Sequence, residues 1–210
     1  MKRPIKAFTD TSGAAKVPKS INDATDTSET ESVPHPLDDF DTYNWVPDVS
    51  LSDDQNFMDL VLLVTRSSQL RQGGMACIVA FVEDPDCDDL STPSLLLQSL
   101  RRRIVTVATN QSLFKATDSD LHAEIAALSN CARSPNLSTS GCAAYITMPP
   151  CKRCFAALVA AGIQKIVSRH SPPSIITETA MAENVDIVVL KDTHIQRDRL
   201  EAFVSAAKNK

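Results

Sequence analysis

The residues best suited to chemistry lie in two short segments, His122-Ala123-Glu124 and Pro150-Cys151-Lys152-Arg153-Cys154. Cys151 and Cys154 are three positions apart, so in the first turn of a helix both sulfurs can face one metal ion. A helix start also places positive potential beside the thiols, which favours the thiolate form that zinc needs. His122 is the third candidate ligand, since the segment between the two motifs has room for a helix, a loop and a strand.

Three protein ligands leave the fourth position of a tetrahedral zinc ion to a water molecule. Zinc makes such a water acidic enough to ionise near neutral pH, and the hydroxide can add to an electron-poor ring carbon that bears an amino group. Glu124 is two residues from His122, so it can face that position without binding the metal. We therefore predict that Glu124 carries protons from water to the ring and then to the departing ammonia.

The elements that position both motifs follow from apolar spacing and from turn residues. The predicted strands are 75–82, 103–108, 143–147, 163–168 and 185–190. The first predicted helix is 53–70, with Ser52 as its cap. A second begins at about His122, with a cap among Asp118, Ser119 and Asp120, and a third runs from about Cys151 to Gly162. The last two predicted helices are 175–184 and 198–207. Segment 94–100 fits either a strand or a helical turn. Arg101-Arg102-Arg103 fits a solvated approach to a strand better than a phosphate site.

The order His-x-Glu followed by Pro-Cys-x-x-Cys resembles the signature of the zinc-dependent nucleobase and nucleotide deaminases. The similarity covers about residues 70–190. GCAAYITMPPCKRCFAALVAAGIQKIV is similar to the deoxycytidylate deaminases, and TNQSLFKATDSDLHAE is similar to the tRNA adenosine and guanine deaminases. In these relatives an asparagine at the end of the second strand holds the substrate, so the resemblance implies a substrate-binding role for Asn110.

The resemblance implies an α/β fold of three α/β/α layers, the cytidine-deaminase-like fold with a mixed five-stranded sheet. The first two strands should be antiparallel and the last three parallel, because the helical segment 175–184 separates the last two. This helix distinguishes the deoxycytidylate and tRNA branch from the cytidine deaminases, whose last strands form a hairpin. Two features depart from the pattern: Pro149 stands where many relatives have Glu, and the connection 83–102 is long enough to form a lid, an interface or an insertion.

Three functions remain open on the sequence. The lead hypothesis is hydrolytic deamination of a cytosine nucleotide or a related aminated nucleobase. The second is an RNA adenosine deaminase acting on tRNA, or one subunit of it; with a net charge of −5 and a pI of about 5.3, the chain would need a basic partner subunit to attract RNA. The third is an inactive deaminase-like scaffold that keeps zinc for folding. The presence of Glu124 argues against the scaffold.

Composition predicts one domain of ordinary size preceded by a tail. The chain has 210 residues, of which 43% are hydrophobic. Residues 1–45 are mostly polar and are predicted to be a disordered tail, whereas 46–210 are predicted to form the deaminase domain. The family commonly assembles, so we expect a homo- or hetero-oligomer.

Apolar patterning bears on the predicted compartment. The sequence has no apolar run long enough to cross a bilayer and no apolar core of a secretory signal at its start. We expect a cytoplasmic protein that does not act on membranes, with the nucleus and a basic organellar presequence left open. The six cysteines are therefore expected to be metal ligands or free thiols, and Cys77, Cys87, Cys131 and Cys142 are assigned to buried or loop positions.

Overall fold

The protein forms a mixed sheet of five strands in the order β2-β1-β3-β4-β5. The computed structural model describes residues 34–70, 73–84, 91–134 and 136–209. The strands are β1 Ala76–Phe81, β2 Ile104–Thr109, β3 Cys142–Ile146, β4 Lys165–Ser168 and β5 Asp186–Val189. The helices are α1 Asp53–Thr65, α2 Pro93–Arg103, α3 Ala123–Ala132, α4 Lys152–Ala160, α5 Ser174–Ala182 and α6 His194–Lys208. β1 is antiparallel to β2 and β3, whereas β3, β4 and β5 are parallel, which confirms the predicted strand directions.

Two hydrophobic cores lie on opposite faces of this sheet. Along β1 and β3 successive side chains alternate between the faces, as a pleated strand requires. Ile78 and Tyr145 belong to the core that contains residues of α1, α2 and α6. Val79 and Ala144 belong to the core that contains residues of α3, α4 and α5. The predicted three-layer α/β/α architecture is therefore confirmed.

Helix ends follow local capping chemistry more closely than apolar spacing. The Ser52 side chain and Gln55 form a reciprocal capping box at the start of α1, so the predicted cap is confirmed. The helix ends at Thr65, although the sequence predicts it to continue to residue 70. α6 begins at His194, four residues ahead of the predicted start, because Thr193 accepts a hydrogen bond from the Gln196 N–H.

The three consecutive arginines form the last turn of α2, so the ambiguous segment before them is helical. They pair with acids from three different segments: Arg101 with Asp38, Arg102 with Asp84 and Arg103 with Asp53. Arg103 is only 3% exposed, so the predicted solvated approach to a strand is wrong for this residue. Part of the predicted connection, residues 85–90, lies outside the described ranges together with Cys87.

The packed domain starts ahead of the predicted boundary at residue 46. Leu37 and Trp45 are buried in the same core as α1. His35 is half-buried, and its Nε2 lies 2.9 Å from the carbonyl oxygen of Arg101. The prediction of disorder for residues 1–33 concerns a segment outside the described ranges. Within those ranges, no helix combines the length and the apolar character needed to cross a membrane.

Candidate metal and catalytic site

The two chemical motifs meet at the starts of two neighbouring helices. His122 is the residue before α3, and its extended backbone turns the chain into the helix. Cys151 holds the same position before α4, where its sulfur accepts a hydrogen bond from the Cys154 N–H at 3.5 Å. The sequence predicted both helix starts correctly. It predicted a cap among residues 118–120 for α3, which is wrong, since the cap residue is His122 and no side chain bonds there.

His122, Cys151 and Cys154 bring one nitrogen and two sulfurs together. The Nδ1 atom of His122 lies 3.4 Å from Cys154 Sγ and 3.9 Å from Cys151 Sγ. All three donor atoms lie within 4.8 Å of one another. Zn–S bonds of about 2.3 Å and Zn–N bonds of about 2.0 Å in a tetrahedron place ligand N and S atoms about 3.6 Å apart. The two N–S distances straddle this value, so the residues fit zinc.

The Cys154 thiol requires a nearby cation to become a thiolate. Burial raises the pKa of the Cys154 thiol, and the nearby Glu124 carboxylate raises it further. The lowered thiol pKa expected from the helix start is therefore not found at Cys154. A divalent ion bound by the two sulfurs would supply the missing positive charge. His122 and Cys151 are exposed, so an ion can reach the site from solvent, whereas Cys154 is buried.

Glu124 lies in the first turn of α3 and is only 6% exposed. Burial raises the pKa of its carboxyl above the usual value. Its own backbone N–H, the charge of His122 and a hydrogen bond with Cys154 act in the opposite direction. A carboxyl with a raised pKa takes up a proton more readily near neutral pH, which is the property that a proton carrier needs.

A cavity of about 220 Å³ opens between the metal cluster and the ends of β1 and β3. Its lining is part apolar and part polar. The lining residues are Gly73, Met75, Asn110, Ser119, His122, Ala123, Glu124, Ile146, Met148, Pro149 and Cys151. Four of these residues were not predicted to belong to the site, namely Met75, Ser119, Ile146 and Met148. Met75 directly precedes β1 and Ile146 ends β3. Neither residue carries a chemical signal, and only the predicted approach of β1 to β3 could have indicated them.

Asn110 follows β2 and is 2% exposed. Its Oδ1 accepts hydrogen bonds from the Met75 N–H at 2.8 Å and from the Ser68 hydroxyl at 3.0 Å. Its Nδ2 donates to the Gly73 carbonyl at 3.0 Å and to Ser119 Oγ at 2.8 Å. An asparagine side chain offers two donors and two acceptor positions. All four are engaged by the protein, and a direct contact between Asn110 and substrate stays a prediction.

The other cysteines of the described ranges are buried free thiols. Cys77, Cys131 and Cys142 are buried, as the sequence predicted, and within the described ranges none of them is in a disulfide. Burial raises the pKa of the Cys142 thiol to about 11 and that of Cys77 well above the usual value. These thiols are therefore poor nucleophiles at neutral pH.

A three-layer domain that gathers one histidine and two cysteines at the starts of two helices is typical of zinc-binding deaminase domains. Residues 51–169 match the family described as the cytidine and deoxycytidylate deaminase zinc-binding region. The chain belongs to this family, and zinc is its metal.

One curated protein is similar to this chain in sequence, and solved structures are similar to it in fold. A cytosine deaminase from Candida albicans is 33% identical over 73 residues, which make up 34% of this chain and 49% of the relative. The chain thus aligns with about half the length of this curated protein. The structure of the dCMP deaminase from cyanophage S-TIM5 has a TM-score of 0.50 and 19% identity, covering 65% of this chain and 96% of that one. A variant of NE0047 in complex with 8-azaguanine has a TM-score of 0.50 and 18% identity, covering 90% and 98%.

Proposed function

We propose that this protein catalyses the hydrolytic deamination of a cytosine nucleotide or a related aminated nucleobase. The observation that supports this most is the buried carboxyl of Glu124, which lines the same cavity as His122 and Cys151. In the reaction, water adds its oxygen to the ring carbon that bears the amino group. The C–N bond then breaks, and the products are the oxo-substituted ring and ammonia.

The side chains divide the work between holding the metal and moving protons. We assign zinc binding to His122, Cys151 and Cys154. When bound, zinc lowers the pKa of a coordinated water to about 7. Glu124 accepts a proton from water and passes it to a ring nitrogen. It then takes the second proton from the added hydroxyl group and delivers it to the departing amine, which leaves as ammonia. Its raised pKa supports this double role, because the protonated and ionised forms lie closer in energy than for an exposed carboxyl.

The size of the cavity supports a substrate that inserts one small ring. Its volume of about 220 Å³ lies below the ~300–1,000 Å³ of pockets that enclose drug-sized ligands. Met75, Ile146 and Met148 offer apolar surface to the faces of a ring. The printed names of the relatives, a cytosine deaminase, a dCMP deaminase and a protein with bound 8-azaguanine, cover both pyrimidines and purines.

Deamination of adenosine in tRNA is a second candidate, and one observation favours it. The loop between β2 and α3 lines the cavity through Ser119 and carries Phe114, which is 86% exposed. Exposed aromatic side chains stack on unpaired bases in single-stranded RNA. The net charge of −5 means that a basic partner subunit would have to supply most of the phosphate contacts. A tRNA-binding affinity that falls steeply with salt would support this candidate.

Ammonia release from a substrate panel tests the proposal. The panel contains cytosine, CMP, dCMP, guanine, adenosine and tRNA, and zinc is quantified on the same protein sample. We expect zinc in the protein and stoichiometric ammonia from a cytosine compound or a related base. Zinc-loaded protein that releases no ammonia from any compound would contradict the proposal and favour the inactive scaffold. Release from tRNA alone would establish the second candidate.

A further inference from the structure

We propose that the hydroxyl of Ser119 donates a hydrogen bond to an acceptor on the substrate ring, and that Asn110 is the positioning residue that orients this hydroxyl. The inference rests on the proposed function, because the acceptor is a carbonyl oxygen or an unprotonated nitrogen of the aminated base. It adds a substrate-binding residue to the site and gives Asn110 an indirect role.

The direction of the hydrogen bond between Asn110 and Ser119 follows from two backbone neighbours. The Met75 N–H can only donate, so the atom of Asn110 that faces it must be Oδ1. The Gly73 carbonyl can only accept, so the atom that faces it must be Nδ2. The amide orientation is thereby fixed, and the same Nδ2 donates its second hydrogen to Ser119 Oγ at 2.8 Å.

The hydroxyl of Ser119 is left with its own hydrogen to donate. A serine oxygen accepts through its lone pairs and carries one O–H donor. Within the described ranges, the contact with Asn110 is the only hydrogen bond of this side chain. Ser119 lines the cavity together with His122 and Glu124. The free donor is therefore available to a ring that occupies the cavity.

The loop that carries Ser119 is held at both ends, which keeps the donor in place. Gln111 and Leu121 exchange two backbone hydrogen bonds of 2.9 and 3.0 Å at the base of the loop. The Asp120 carboxylate accepts hydrogen bonds from the N–H groups of Leu113 and Phe114 at 2.8 and 2.9 Å. A donor that is oriented before binding loses little freedom when the substrate arrives.

A direct contact between Asn110 and the ring would require Asn110 to give up one of its four protein partners. Three of these partners, Ser68, Gly73 and Met75, belong to the chain that leads into β1. Losing them would release a wall of the cavity, since Gly73 and Met75 line it. An indirect role through Ser119 preserves every one of these bonds.

The first test compares Ser119→Ala with Ser119→Thr in steady-state ammonia release, using the panel compound that the wild type deaminates fastest. A neutral hydrogen bond made in both the ground state and the transition state affects KM more than kcat. We expect Ser119→Ala to raise KM about two- to tenfold, with kcat within about twofold of wild type and with unchanged zinc content and Tm. Ser119→Thr keeps the hydroxyl and should restore most of the loss. Thr117→Ala is the matched control, because within the described ranges the Thr117 hydroxyl donates only to its neighbour Asp118 in the same loop.

The second test asks whether Asn110 acts through Ser119. Asn110→Asp keeps the acceptors for Met75 and Ser68 and removes both donated hydrogens. If Asn110 acts through Ser119, adding Ser119→Ala to Asn110→Asp should lower kcat/KM by less than Ser119→Ala does alone. Fully multiplicative losses would overturn the positioning role. The Ser119→Ala and Ser119→Thr comparison still decides the donor role if Asn110→Asp does not fold.

The outcomes separate this inference from the proposed function. Wild-type turnover combined with an unchanged KM for Ser119→Ala would overturn the inference and leave the deaminase proposal standing. A zinc-loaded wild type that is inactive on every compound would overturn the deaminase proposal and this inference with it.

Discussion

Each of the two helical layers of this protein contains a buried carboxylate, and the two carboxylates differ in their partners. In the layer of α1 and α6, Asp59 is 1% exposed, and it accepts hydrogen bonds from Gln196 and Arg199. In the layer of α3 and α4, Glu124 is 6% exposed, and no lysine or arginine of the described ranges forms an ion pair with it. Glu124 opens into a cavity instead.

The contrast separates a structural carboxylate from one that is available for chemistry. A buried charge costs free energy unless it is paired and hydrogen-bonded. Asp59 meets this requirement within the chain and joins α1 to α6. Burial raises the pKa of both carboxyls. Glu124, however, has no lysine or arginine partner in the described ranges and lines a cavity, where a substrate or a metal-bound group can exploit its raised pKa. Disturbing the first layer should therefore affect stability, and disturbing the second should affect turnover.

Removal of zinc should produce the largest effect, a complete loss of ammonia release. Chelation should also expose the Cys151 thiol, because this residue is exposed and its sulfur faces His122. Mass spectrometry after treatment with iodoacetamide should find Cys151 modified in the chelated protein and protected in the zinc form. Cys131 and Cys142 serve as internal controls, since burial raises the pKa of both thiols. Equal modification of Cys151 with and without zinc would argue against its role as a ligand.

Glu124→Gln should lower kcat about 10²- to 10⁴-fold, the usual contribution of a positioned proton carrier. The amide has the same shape as the carboxyl but cannot exchange protons, so zinc content and Tm should stay near the wild-type values. Ammonia release and metal analysis on one sample provide the measurement. Glu178→Gln, on the exposed side of α5, is the control for loss of one negative charge. Retained activity in Glu124→Gln would remove Glu124 from the mechanism.

Much of the metal cluster was predictable because its information is local. His122, Cys151 and Cys154 occur in short motifs at predicted helix starts. The parallel pairing of β4 and β5 was predictable for a similar reason, because a helical segment separates these two strands in the sequence. The full set of contacts around Asn110 was not predictable. Its partners come from Ser68, the turn before β1 and the loop before α3, and no pattern along the chain joins these segments.

The Asp59 network escaped prediction for a related reason. The aspartate lies within the apolar pattern of α1, but its partners Gln196 and Arg199 are 137 and 140 positions further along the chain. α2 was ambiguous because its burial is confined to few positions and its last turn is basic. The acids that pair with the three arginines come from distant segments, and their proximity is a property of the fold.

Arg199→Met should destabilise the protein by about 3 kcal/mol, the lower end of the range for breaking a buried ion pair. The variant leaves the Asp59 carboxylate buried without its guanidinium partner, although the hydrogen bond from Gln196 is retained. Chemical denaturation measures the free energy of unfolding, and ammonia release per zinc-loaded molecule should stay within about twofold of wild type. Adding Asp59→Asn removes the unpaired charge and should recover part of the loss. A double variant less stable than Arg199→Met would contradict the assignment of the cost to Asp59.

The smallest expected effect is the pH dependence that Asp59 gives to stability. Burial raises the pKa of the Asp59 carboxyl, and the hydrogen bonds from Gln196 and Arg199 offset this only in part. A carboxyl with a raised folded-state pKa contributes most below its unfolded pKa, and this contribution is lost as pH rises through the folded-state value. The free energy of unfolding of wild type minus that of Asp59→Asn should therefore fall as pH rises from about 4 towards 7.

Asp38→Asn is the control of opposite sign, because the Arg101 guanidinium lowers the pKa of Asp38. The contribution of Asp38 to stability is therefore lost only as pH falls below the usual carboxyl range. A wild-type advantage over Asp59→Asn that grows with pH would show that the ion pair with Arg199 outweighs burial.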